Sequence, residues 1–480
     1  MKLINTIIFL AVMHTAFCQN TAREKFSAAE IRTDLIFLYQ TLEKTHYNLY
    51  INTPKKVFDR EFKRLNSSIK DSVSLVQAHR LLQPFAALSG LSHCNIAYPF
   101  SPAYVNYVMN KGTLFPFDIT IDNGRFFITA NYSGDSSIRI GDQILSINTI
   151  PARKYLEKMY KYLSGESDFS KNTQLDLMFF SRLNWFVYDR QDDYTLKVKQ
   201  QTGKIAEITV KAIPAMDYEG AASRKKPVVN TNRDLKFIEG IAYLRPGVFL
   251  NTEDNVNISD HKTFERRQFV HFIDSCFSMI RQSNAKNLII DLRGNPGGDN
   301  SFSDEMIAYF ANKPFSFRSK FYVKTSAITK SFWVDMKDTQ VAQLRKLIME
   351  NENGKILELP EIKFPPKADS LQFKGNVYVL IDRYTYSNAV TTAALIQDYR
   401  FGTIVGERTA DSPTTFAAIH QFKLPLTQMS VSYPKAFIIR PNGDQKVRGV
   451  IPDIQVKEIL FNETDEILVR TVQAINGQKE

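Results

Sequence analysis

Three stretches of the 480-residue chain hold residues whose types could do chemistry together. In "VYVLIDRYTYSNAVTTAALIQD", Ser387 falls where an apolar strand ends and a helix begins. A helix start offers unpaired N–H groups and positive potential, which suits a nucleophile that generates an anion. The same position equally suits a serine serving as an ordinary helix N-cap. In "NLIIDLRGNPGGDNSF", an apolar strand runs into a loop carrying Gly294, Gly297 and Gly298. Amides placed there lie at the C-terminal edge of a sheet, where open α/β folds bind ligands. The loop lacks the Lys-Ser/Thr of a phosphate loop and the G-x-G-x-x-G spacing of a dinucleotide site. An oxyanion-binding turn and a plain structural turn both remain. A serine hydroxyl needs a base to become a useful nucleophile. Among seven histidines, His93 in "LSGLSHCNIAYP" sits between small and polar residues, and taken alone it reads as a structural histidine.

The elements that must position these residues change character along the chain. From about Ala22 to Phe85 apolar residues recur at three- and four-residue spacing, which predicts a helical N-terminal region. From Gly112 the period shifts to strand-like runs, "FPFDITI", "GRFFITANY" and "DQILSINTI", with "YTLKVKQ" and "AEITVKAI" closing the segment near Pro214. After Phe237 strands without alternation, such as "NLIIDL" and "GNVYVLID", are separated by helices, which predicts a sheet covered on both faces. The charged stretch from about Phe315 to Leu371 reads as an insertion over that core.

At this length two or three domains are expected. A hydrophobic fraction of 44% and a charged fraction of 23% are those of a globular protein. The formal charge of +11 is dispersed among acidic residues, so no nucleic-acid partner is expected. The opening "MKLINTIIFLAVMHTAFCQN" predicts a secretory signal over 1–18 and an exported, periplasmic or extracellular protein. A lipid anchor on Cys18, the one route to membrane association, is disfavoured by the bulky Phe17 before it. Cys94 and Cys276 then allow at most one disulfide, and two buried free thiols are the equal alternative. There is no H-E-x-x-H or Cys/His cluster, so neither a metal nor a cofactor is expected.

Two resemblances organise these observations. "SSIRIGDQILSINTIPARKYLEKM" resembles the core of a PDZ domain, with a Gly-Asp turn, an apolar strand, an "IN" turn and a short helix. Behind it, "DLRGNPGG", "RYTYSNAVTTAAL", "GTIVGERT", "SYPKAFIIRPNGD" and "RGVIPDIQV" occur in the order seen in the S41 family of serine peptidases. The combined expectation is an α/β multidomain chain: a signal peptide over 1–18, a helical region over 19–110 that contributes the histidine, a PDZ-like β-rich domain over 111–214, and a ClpP/crotonase-like α/β catalytic core over 215–480.

The resemblance implies that Ser387 is the nucleophile and that the amides of Asn388 and of Gly297 or Gly298 form the oxyanion hole. It also implies an endopeptidase or carboxy-terminal processing activity on peptide or unfolded protein substrates. One branch of the family uses a lysine base after a "GE-x-T-x-G-K" segment, but "GERTADSPTTF" has none. The tricorn-like branch uses a Ser-His pair, matched here by Ser92 and His93. That branch also places a glutamate just before the final "G-V-x-P-D" segment, where this chain has Lys446; Asp444 is the nearby acid expected to orient the site through Ser92. Without that glutamate, a noncatalytic S41-like peptide- or ligand-binding protein is the alternative reading.

Overall fold

The computed structural model describes residues 25–178, 180–225, 228–252, 261–334, 342–457, 461–462 and 464–477. The expected signal segment 1–18, Cys18 included, lies outside them. The chain forms two compact units. The first holds 1–226, 323–357 and 416–436, and the second holds 227–322, 358–415 and 437–480. Within the stretch 215–480, expected as a core with an insertion about 315–371, residues 323–357 and 416–436 fall in the first unit.

The reason is visible in the first unit's pairing. Asn95 and Ile96 pair antiparallel with Ser432 and Val431, in a sheet completed by Thr415–Lys423, Lys320–Lys324 and Ile356–Glu358. The buried carboxylate of Asp34 accepts the N–H groups of Leu426 and Thr427 at 2.9 and 2.8 Å. Asp34 lies on the helix Ala28–Thr45, which opens with a capping box between Ser27 and Glu30. A second capping box, Ser74 with Gln77, starts the helix Leu75–Ala87 that leads to His93.

The same unit carries a second sheet in the order Phe117–Asp122, Arg125–Asn131, Gln143–Ile147, Asp193–Lys199, Ile205–Lys211. The Gly-Asp turn has a clear cause. Gly141 takes φ +89°, and buried Asp142 accepts Arg139 N–H at 2.8 Å and Gln201 N–H at 3.1 Å. The helices Ala152–Tyr160, Asp168–Met178 and Phe180–Tyr188 accompany this sheet.

The second unit is built on a six-stranded sheet: Asp234–Ile238, Ile241–Arg245, Asn287–Asp291, Asn376–Ile381, Thr403–Gly406 and Ile454–Gln455. The first pair is antiparallel and every later pair is parallel. The unbroken apolar runs follow from covering both faces. Leu288, Ile290, Val377, Val379 and Ile381 pack into one core with residues of the helices Arg267–Gln282, Asn300–Ile307 and Asn388–Tyr399. Ile289 and Leu380 point the other way, against Ile467 of the helix Glu466–Ile475. Cys94 and Cys276 are free and buried, and burial pushes each thiol up to about 12.

Candidate active site

The strands Asn287–Asp291 and Asn376–Ile381 are parallel neighbours, with Asp291 opposite Leu380. Their C-terminal ends therefore release two loops side by side, one carrying the glycines and the other Ser387. The loops are stitched together: Leu292 N–H donates to Leu380 O at 3.0 Å and Tyr386 N–H to Asn295 O at 2.9 Å. Thr385 Oγ1 donates to Leu292 O at 2.9 Å and Gly294 N–H to Asp382 Oδ1 at 3.1 Å.

Ser387 stands at the junction with φ +52° and ψ −125°, and its side chain makes no capping bond to the helix Asn388–Tyr399. An N-cap serine has extended dihedrals and accepts a helix N–H, so the capping explanation fails here. The backbone is instead a sharp strand-to-helix elbow of the kind that exposes a nucleophile. A non-glycine residue there costs roughly 1–3 kcal/mol, which the surroundings must offset. Part of that restraint comes from Asp411, whose Oδ2 accepts the Ser387 N–H at 2.7 Å. Arg383 and Glu407 form a bidentate pair beside it, at 3.0 and 2.6 Å.

The two glycines divide their work. Gly297 has φ +91°, and a Cβ there would meet Asn388 N and Tyr386 O at 2.6 Å and Ser387 Cβ at 2.8 Å. Only glycine permits this approach. Its own N–H is held by Asn295 Oδ1 at 2.9 Å, which leaves the Gly298 amide as the candidate donor of the pair. Gly298 bridges Phe249 in parallel fashion, and the bonds are made by its neighbours: Phe249 N–H to Gly297 O at 2.8 Å and Asp299 N–H to Phe249 O at 2.9 Å. The Gly298 N–H is thus turned away from Phe249 and finds no acceptor among the described residues. The N–H of Asn388, which has no partner within its helix, is likewise unengaged among the described residues. The Asn388 side chain is fixed by Ser303 Oγ at 3.0 Å.

Asp291 anchors the start of the glycine loop. Burial raises its carboxyl, but bonds and charge from Arg293 and the charge of Arg245 outweigh this and hold it down at about 2. Arg293 also grips Asp465, at 2.5 and 2.9 Å, tying the loop to the C-terminal helix.

In the first unit, His93 is only 6% exposed. Its Nδ1 lies 2.9 Å from Phe416 O. A carbonyl can only accept, so Nδ1 carries the hydrogen, and in the neutral ring Nε2 keeps its lone pair. That is the tautomer a general base requires.

Ser92 is held within the first unit. Its N–H donates to Glu166 Oε1 at 2.9 Å and its hydroxyl to Glu166 Oε2. Asp444 spends its carboxylate within its own loop, on Lys446 N–H and Arg448 Nη2, both at 3.0 Å. These bonds shape the loop 442–448.

Sequence reasoning missed Asp411 and Glu166. Asp411 lies in the very stretch noted for its missing lysine, whereas Glu166 sits in a plain turn, "YLSGESDFS", with no signal beyond its charge. Lys435 is buried beside His420, with Nζ 2.6 Å from His420 Nε2. Burial lowers Lys435 to about 8 and His420 to about 3.

Residues 256–456 match the model of Peptidase family S41, and residues 111–220 match that of a PDZ domain. Among solved structures, the chain is similar to mature CPAF at 16% identity, over 89% of this chain and 92% of that one, with a TM-score of 0.58. It is similar to mature CPAF complexed with lactacystin at 16% identity, over 94% and 97%, with a TM-score of 0.59. The photosystem II D1 C-terminal processing protease matches at 13% identity, over 92% and 96%, with a TM-score of 0.43. At these identities the CPAF likeness establishes a shared fold.

Proposed function

The chain belongs to peptidase family S41 and carries a PDZ domain, and from that premise we propose that it is a serine endopeptidase or carboxy-terminal processing peptidase acting through an acyl-enzyme on Ser387. Ser387 Oγ attacks the scissile carbonyl while His93 Nε2 accepts its proton and returns it to the leaving amine. Water then releases the acyl group by the reverse sequence of proton transfers. The amides of Gly298 and Asn388 receive the negative charge that develops on the carbonyl oxygen, and losing one such donor typically costs about 10²–10³ in rate.

The observation that carries this reading is the elbow: a serine held at φ +52° with its hydroxyl excluded from helix capping, beside two amides unengaged among the described residues. A purely binding protein has no need of that strain. The PDZ domain suits a substrate offered as an extended chain end, which such domains take up by strand addition and carboxylate capture. Export directed by the first 18 residues is part of the proposal, and mass spectrometry of the mature N-terminus tests it. For the activity, an unbiased peptide library is digested with the native protein and with Ser387→Ala. Cleavage by the native protein alone, with an end preference, is the expected result; equal digestion by both, or by neither, refutes the assignment.

A further inference from the structure

We propose that Glu166 is the acid that positions His93, acting through Ser92, an inference that rests on the catalytic reading of His93. The grip is a two-point chelate on the residue adjacent to the base: Ser92 N–H donates to Oε1 at 2.9 Å and Ser92 Oγ to Oε2. It fixes the peptide entering Ser92 and the Ser92 side chain together.

The same turn holds the other side of the histidine, because Ser164 Oγ donates to Cys94 O at 2.5 Å. Asn95 Nδ2 closes the segment on Ser92 O at 3.2 Å. With Nδ1 bound to Phe416 O, the ring and both flanking residues are restrained from outside the local chain.

Ser92 and Ser164 are 9% and 3% exposed. A bond to a carboxylate in such a setting is charge-assisted, and removing its acceptor strands buried donors. Glu166 comes from the turn between the helices Ala152–Tyr160 and Asp168–Met178, inside the PDZ match. The histidine segment is therefore held by the part of the chain that would take up the substrate's end. Asp444, already bound to Arg448, is not needed for this role.

A general base works only when its ring is held to within about 0.5 Å and 10–20° of the productive geometry. Glu166→Gln keeps an acceptor for Ser92 N–H, but its amide nitrogen can only donate to Ser92 Oγ, so the charge-assisted bond from the hydroxyl to a carboxylate is lost. The expected result is a fall in kcat of about 10–100-fold with KM within about twofold, the signature of misplacement rather than lost binding. Glu166→Asp should recover part of the loss, and Ser92→Ala, which removes only the hydroxyl bond, should fall between.

The decisive arm is the cycle with His93→Ala. If Glu166 acts through the histidine, Glu166→Gln changes the residual rate of His93→Ala by less than about twofold. An equal loss in both backgrounds means that Glu166 merely supports the fold, and overturns the proposal. Near-native kcat in Glu166→Gln, while His93→Ala is inactive, overturns it and leaves the catalytic reading intact. A native protein with no Ser387-dependent hydrolysis overturns both.

Discussion

Replacing Ser387 by glycine separates the backbone strain of the elbow from the chemistry of its hydroxyl. At φ +52° and ψ −125° a serine pays roughly 1–3 kcal/mol that glycine does not. Glycine loses more chain entropy on folding, which returns about 0.5–1 kcal/mol. Ser387→Ala keeps the strain and removes the hydroxyl, so it is the proper reference. The difference, roughly 0–2.5 kcal/mol and about 1 kcal/mol at mid-range, predicts that Ser387→Gly is more stable than Ser387→Ala, although both are inactive. Urea unfolding followed by near-ultraviolet circular dichroism reads this as a higher midpoint at unchanged slope. Since the chain has two units, the transition compared should be the one that reports the unit holding Ser387. A glycine variant equal to or less stable than the alanine variant would show that the elbow is not strained, and the argument from strain to function would fall.

Other perturbations act on neighbouring parts of the site. Gly297→Ala drives a Cβ into the backbone of Asn388 and Tyr386; thermal unfolding should show a loss of about 2 kcal/mol or more, with activity abolished. Asp411→Ala leaves the Ser387 N–H without its carboxylate acceptor; the rate should fall about 10–100-fold, as befits a charge-assisted bond of about 1.5–3 kcal/mol, while Asp411→Asn keeps an acceptor and more activity. Lys435, brought down to about 8 by burial, must be charged in a poorly solvated place below that pH. Its penalty on folding is complete below pH 8 and fades as pH rises toward about 10.4, the value in the unfolded chain. Lys435→Met should therefore be more stable at pH 7 by the order of 1–3 kcal/mol, and the gain should shrink above pH 8, as denaturant titrations across pH would record. Asp291 behaves oppositely: held at about 2, it stabilises the fold above about pH 4, and that contribution is lost between about pH 4 and 2. In Asp291→Asn this acid limb of the stability profile should flatten.

Much of the core was legible because its physics is local. The runs around Ile289 and Val379 are apolar at every position since helices cover both faces of their sheet, and Asp142 shapes its own turn. Ser387 could be placed at a strand-to-helix junction from sequence, but only dihedral angles distinguish an elbow from a cap. The roles of Gly297 and Gly298 could not be separated, because the difference lies in where the Asn295 side chain points. Glu166 was invisible for another reason: its partner Ser92 is 74 positions away, and neither residue carries a pattern that announces the pair. Residues 416–436 join the first unit through strand pairing with Asn95 and Ile96, a long-range match that periodicity does not encode.

The central claim is that the Ser387 hydroxyl is a nucleophile activated by His93. The most direct measurement is labelling of the native protein with a fluorophosphonate, followed by mass spectrometry of the peptide that contains Ser387. The account predicts stoichiometric modification at Ser387, suppressed by about 10²-fold or more in His93→Ala. Absence of label at Ser387 in folded protein, or labelling at an unchanged rate without His93, would contradict it.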